Sequence, residues 1–178
     1  MRKLFIIVIL MFFVSYLIHK ANEGANFHSP VYSGRELKIG IVGDIPNIRE
    51  NNVSFIQMSL EDVLQKKFVT KVDSVFITKK HLKEAAEPQY AKIYWESPIP
   101  FVFIDSEKVY LAFLDDQLSY EDAHTIKSGD YVVGFHKDTY FGIGLYNNIR
   151  NEKTIQDCYS RLFVIIERFK NTGKILIK

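Results

Sequence analysis

The chain has one cysteine, Cys158, among 178 residues. No internal disulfide can form, and stability has to come from packing even in an oxidising compartment. It has no basic surplus along its length either. Its 23 Lys and Arg residues face 21 Asp and Glu, and Arg2 and Lys3 at the N-terminus account for the difference. That balance removes the electrostatic footprint that marks nucleic-acid binders, so no nucleic acid is expected as a partner. Several catalytic and cofactor signatures are missing too. There is no G-x-G-x-x-G, no G-K-[ST] and no G-x-S-x-G. The five histidines His19, His28, His81, His124 and His136 show neither H-x-x-x-H nor H-E-x-x-H spacing. No cofactor and no metal are implied, and any metal site or catalytic triad would have to be assembled by the fold. Internal repeats and low-complexity tracts are absent.

What is present begins with an apolar run that opens at Leu4 and closes at Ile18, LFIIVILMFFVSYLI, with Arg2 and Lys3 in front of it. As a helix it spans roughly 22 Å at 1.5 Å per residue, short of the ~30 Å hydrocarbon core, a length that suits a signal-peptide core as well as a short anchor. With Ala21 or Ala25 at position −1 of a signal-peptidase site, position −3 holds His19 or Glu23 where a small residue is wanted, and no lipid-accepting cysteine follows. The expectation is therefore a transmembrane anchor or signal segment over residues 1–20. The positive-inside rule puts the N-terminus in the cytoplasm and the rest outside the cell membrane. Secretion after signal cleavage is the alternative. Residues 21–35, with Gly, Asn, Ser and Pro and no hydrophobic period, read as a linker. Residues 36–178, within a chain 47% hydrophobic and 14% aromatic, suffice for one extracytoplasmic domain.

Within that domain LKIGIVG (37–43) is a nearly continuous apolar run, as expected of a strand covered on both faces. VSFIQ (53–57) follows as a second strand. Ser59 and Asp62 form a capping-box start for the helix LEDVLQKK. DSVFIT (73–78) is a third strand, with Thr78 placed to cap the next helix. Pro88 interrupts and opens a second helical piece, and FVFID (101–105) is a fourth strand. This βαβ order predicts a parallel half-sheet. VYLAFL (109–114), YVVGFH (131–136) and YFGIGLY (140–146) read as antiparallel strands, the last two joined by a three-residue loop KDT, and residues 115–130 as an exposed polar insertion. Asn151 caps an amphipathic helix whose apolar stripe, Ile155, Cys158, Leu162, Ile166 and Phe169, makes Cys158 a buried structural thiol; Gly173 ends it. The fold class expected is α/β: a three-layer-like domain with a mixed sheet, a C-terminal amphipathic helix and an N-terminal membrane helix.

Chemistry is sought where strands end. The carboxyl ends of parallel strands share one edge, which gathers Asp44, Thr78 and Asp105, with Lys79 and Lys80 beside Thr78. These five residues are the candidate ligand-binding set, for a small anion received by the lysines and a helix N-terminus. The same residues have a structural reading, in which Asp44 and Asp105 neutralise the lysines. No catalytic residue is assigned. A small extracytoplasmic hydrolase would need Asp44 and Asp105 to face each other across a cleft. The acidic group Asp115, Asp116, Glu121 and Asp122 reads as a solvated loop.

The stretch LKIGIVGDIP…VSFIQMSLEDVL…VDSVFITKKHLKEA…SPIPFVFID, residues 37–105, resembles the first lobe of extracytoplasmic solute-binding proteins. The resemblance implies that Asp44, Ile45 and Thr78 lie on the ligand side. The chain leaves no room for the second lobe that closes over a ligand in that family. Overall it is also similar to small uncharacterised exported or membrane-anchored proteins of Gram-positive bacteria, a likeness that carries no activity. The function expected is a membrane-tethered binding or interaction module, for a small anionic ligand or a cell-surface protein.

Overall fold

The computed structural model describes residues 2–176. Six strands form one sheet, β1 (Leu37–Val42), β2 (Val53–Met58), β3 (Ser74–Ile77), β4 (Phe101–Ile104), β5 (Asp130–His136) and β6 (Thr139–Gly144), in the order β2-β1-β3-β4-β5-β6. The first four are parallel and the last two antiparallel. The fold is thus α/β with a mixed sheet, as the alternation of elements requires.

Strand alternation builds two cores. Val75, Ile77, Phe101, Phe103 and Phe135 face one side, where α2 (Leu60–Leu64), α3 (Leu82–Ala85), α4 (Pro88–Glu96) and α5 (Leu111–Leu114) cover them. Phe103 and Phe113 stack there at 3.7 Å between ring centroids. Ile39, Ile41, Phe76, Val102 and Val132 face the other side, against α6 (Glu152–Thr172). Asn151 caps α6 by accepting from the Thr154 N–H, and Gly173 ends it in the left-handed region. Cys158 is fully buried in the α6 core, which pushes its thiol up to about 12.

Four local expectations are corrected. The run 109–114 forms no strand, and its last four residues, Leu111–Leu114, make the short helix α5: an apolar run of six residues fits either element, and Ala112 and Phe113 here fill the helical face of the core. The β5–β6 turn has two residues, Lys137 and Asp138, because His136 pairs with Thr139. Thr78 stands at the N-cap of a 3-10 turn, Lys79–His81, but its side chain makes no capping hydrogen bond; its hydroxyl donates to the Val42 carbonyl at 3.3 Å. The polar insertion is anchored, with Ala123 buried and Leu118 and Tyr120 packed on the core.

The N-terminal region forms the helix α1 (Arg2–Asn26). Among the described residues, however, no helix is long and apolar enough to cross a membrane. The transmembrane helix expected over residues 1–20 is corrected to that extent. The physical reason is length: the apolar stretch whose side chains are described, Ile6 to Ile18, rises only about 20 Å. The stretch expected as a linker, 21–35, is helical up to Asn26, and from Phe27 on it is fastened to the domain. Phe27 stacks on Tyr146, Ser29 donates to Asp157, Tyr32 is buried against Phe163, and the Arg35 N–H donates to Glu167.

Candidate ligand cleft at the carboxyl edge of the sheet

The sheet order puts β1 between β2 and β3, so the chain leaves β1 in one direction and returns to β3 on the other side. Ligands of open α/β sheets bind at such a switch point, outside the carboxyl ends of the strands. A cleft of about 620 Å³ opens there, within the usual range for small-molecule sites. Asp44, Thr78, Lys79 and Asp105 all line it. Four of the five residues expected from sequence therefore meet. Lys80 stands outside the lining and reaches it through Asp44, to which its ammonium lies at 2.6 Å.

Each strand end delivers its residue for a local reason. Gly43 turns the chain out of β1 at φ 109°, and a Cβ there would stand 1.9 Å from the Thr78 hydroxyl. Glycine is required by that close approach, and Asp44 is carried past the edge as a result. Asp105 follows β4 in the left-handed region, φ 58°, and its N–H donates to the Tyr131 carbonyl at 2.7 Å. A non-glycine residue held there is the kind of backbone strain that concentrates at functional sites.

The electrostatic centre is a residue that sequence reasoning did not single out. Arg150 donates from Nη1 and Nη2 to the two carboxylate oxygens of Asp105, both at 2.7 Å, and its guanidinium lies 5.3 Å from the centroid of the Tyr131 ring. Such a bidentate fork fixes orientation as well as charge. Lys79 Nζ stands 3.7 Å from Asp105 and 2.8 Å from Glu107, and those carboxylates raise its pKa, the hydrogen bond to Glu107 first. The hydrogen bond from Lys80, then its charge, holds Asp44 below the usual carboxylate range. Arg150 was legible only as the residue preceding the Asn151 cap, at a helix start whose location the fold alone decides.

The start of α6 forms the far wall with Asn151, Glu152, Ile155 and Tyr159, and Ile45, Pro46, Ile104 and Tyr131 complete the apolar lining. Asn47 ties the β1–β2 loop to this wall through a 2.7 Å hydrogen bond to Glu152. Burial raises the pKa of the Tyr159 and Tyr131 hydroxyls, so neither ionises near neutral pH. The arrangement can orient a small ligand by a guanidinium and an ammonium at one end and hold an apolar body against the isoleucines and tyrosines. Each cleft aspartate is engaged by a cation, Asp44 by Lys80 and Asp105 by Arg150. Comparison with protein-family models, with curated proteins and with solved structures finds no match for this chain.

Proposed function

We propose that this protein is a membrane-tethered binding domain on the outer side of the cell membrane. In this reading the cleft at the carboxyl edge takes a small ligand bearing a carboxylate or phosphate. The observation that carries the proposal is the convergence of Arg150, Lys79 and the start of α6 on one apolar-walled cleft at the switch point. An incoming anion competes with Asp105 for the guanidinium fork and with Glu107 for the lysine, so the resident carboxylates hold the donors in place until a ligand shares them. The resemblance of residues 37–105 to one lobe of solute-binding proteins supports the same edge.

Tethering rests on α1. Its described apolar side chains from Ile6 to Ile18 are exposed, from 44% for Val8 to 74% for Phe12. A continuous apolar surface of this kind is not left in water. An apolar stretch shorter than the hydrocarbon core is accommodated by local thinning of the bilayer and by flanking charged side chains reaching the interface.

Differential scanning fluorimetry of the chain with sodium phosphate, acetate and glutamate tests the cleft. A ligand at about a hundred times its dissociation constant raises the midpoint by roughly 5–10 °C, and Arg150→Ala removes the shift. If no anion shifts the midpoint and Arg150→Ala and Lys79→Ala leave stability unchanged, the cleft is not an anion site. Intact mass of protein extracted from membranes tests the tether: loss of the first ~25 residues identifies a cleaved signal.

A further inference from the structure

The strand β6 closes the sheet on one side, and among the described residues no strand pairs with its outer edge. We propose that this edge takes an extended peptide as an additional strand, one whose side chains alternate between apolar and acidic.

The backbone geometry defines which groups are free. The Asp105 N–H donates to the Tyr131 carbonyl, so Tyr131, Val133 and Phe135 aim their polar groups at β4, and Val132, Gly134 and His136 aim theirs at β6. In the β5–β6 register these last three face Ile143, Phe141 and Thr139. Tyr140, Gly142 and Gly144 consequently point their N–H and C=O groups away from the sheet. Of these the Gly144 carbonyl accepts from Arg161 at 2.7 Å, and the groups of Tyr140 and Gly142 remain along the rim.

Natural edges are blunted by charge, proline or irregularity; β6, TYFGIG, has no charged residue and no proline, and its ladder to β5 shifts register at the Gly144 end, opposite Asp130 and Val132. Two of its rim residues are glycines; the Asp130 carboxylate packs over Gly142, and Gly144 adds no side chain at the rim. Clefts flank the strand on both faces. One, about 700 Å³, is walled by Val109, Val133 and the stacked pair Tyr110–Tyr140, whose centroids are 4.2 Å apart, with His124, Lys127 and Asp130 also lining it. The other, about 260 Å³, lies between Gly142 and Gly144 and the α6 residues Arg161, Val164 and Arg168. An added strand sends successive side chains to opposite faces, so one strand fills both clefts. Arg161 is paired with Asp157 at 2.9 Å, so Arg168 is the cation that selects acidic side chains on the α6 face, and the tyrosines and valines select apolar ones on the other.

The test is fluorescence polarisation with the full chain in detergent and a labelled seven-residue peptide alternating Val and Glu. A peptide of the same composition in block order, Val residues then Glu residues, is the control for charge alone. The alternating peptide is expected to bind at least tenfold more tightly than the block peptide. N-methylation of every second amide then reads the edge: for antiparallel addition, methylation at the Val positions lowers affinity at least tenfold and methylation at the Glu positions is tolerated. In parallel addition the two phases exchange roles, which still supports the proposal. Tyr140→Pro removes an outward donor without touching the β5 ladder, and should weaken binding three- to tenfold. Arg168→Glu, at a half-buried position of α6, should invert the preference toward a Val/Lys peptide. Equal binding of alternating and block peptides overturns the proposal, as does equal tolerance of both N-methylation phases. Sedimentation showing β6-dependent dimers that bind no peptide assigns the edge to a second copy and overturns it as well.

Discussion

Glu50→Ala should loosen the attachment of the N-terminal segment more than any exposed substitution. Glu50 sits at the end of the β1–β2 loop with 6% exposure, and its carboxylate accepts from the Tyr32 N–H at 3.2 Å, the Arg49 N–H at 3.0 Å and the Ser160 hydroxyl. Above it, Arg49 donates to the Ser29 and Pro30 carbonyls and to Ser160, so one loop and one helix together hold residues 29–32. Truncation to alanine leaves the Tyr32 N–H buried without an acceptor, which costs about 1–3 kcal/mol. The Arg49 N–H is half exposed and costs about 1 kcal/mol. The Ser160 hydroxyl retains the Gln156 carbonyl at 3.1 Å, so it adds nothing. The sum is about 2–4 kcal/mol, or a midpoint lower by roughly 5–15 °C. Urea unfolding measures the loss, and limited proteolysis reports whether residues 27–35 become accessible before the domain unfolds. Glu50→Gln keeps one acceptor oxygen and should lose about half as much. A loss below about 1 kcal/mol for Glu50→Ala, with unchanged proteolysis, would refute the view that this carboxylate fastens the segment.

Two further predictions follow from buried groups. His136 is 5% exposed and packs against Phe169, its Nε2 has no hydrogen-bond partner among the described residues, and burial, aided by Lys137, lowers its pKa from 6.5. The unfolded chain therefore binds a proton that the native state refuses, and stability falls as pH drops below about 6.5, by at most about 1.4 kcal/mol per pH unit; urea midpoints between pH 7 and 5 should show this slope, and a His136→Phe variant with the same slope would assign it to another group. Gly43→Ala forces a Cβ into the Thr78 hydroxyl at a positive φ and should cost about 1–3 kcal/mol, part of which Gly43→Ala with Thr78→Ala recovers; an additive double variant in urea titration would show that the two positions do not collide.

Features set within a few residues of sequence were legible in advance. The Ser59–Asp62 capping box forms as its spacing requires, and α6 begins at the Asn151 cap and ends at Gly173. The apolar runs of β1, β3 and β4 are buried on both faces, as expected of strands inside a three-layer domain. Where a run was short and apolar without further punctuation, as in residues 109–114, the choice between helix and strand passed to packing against Phe103. Thr78 shows the same limit from the polar side: its hydroxyl could serve a helix N–H or a neighbouring strand, and the neighbour, Val42, lies 36 residues away in the chain.

By itself the sequence determined the α/β alternation, the balanced charge, the lone buried thiol and the strand ends at which Asp44, Thr78 and Asp105 stand. These depend on local propensity, caps and hydrophobic period, which act over one element at a time. Only the tertiary structure decided that those ends lie side by side, that Arg150 arrives from 45 residues further on to clasp Asp105, that residues 27–35 bind to the domain, and that β6 is the last strand of the sheet. Strand order and the partner of a charged side chain depend on contacts between distant segments, and each such contact is chosen by the packing of the whole core and not by the residues beside it.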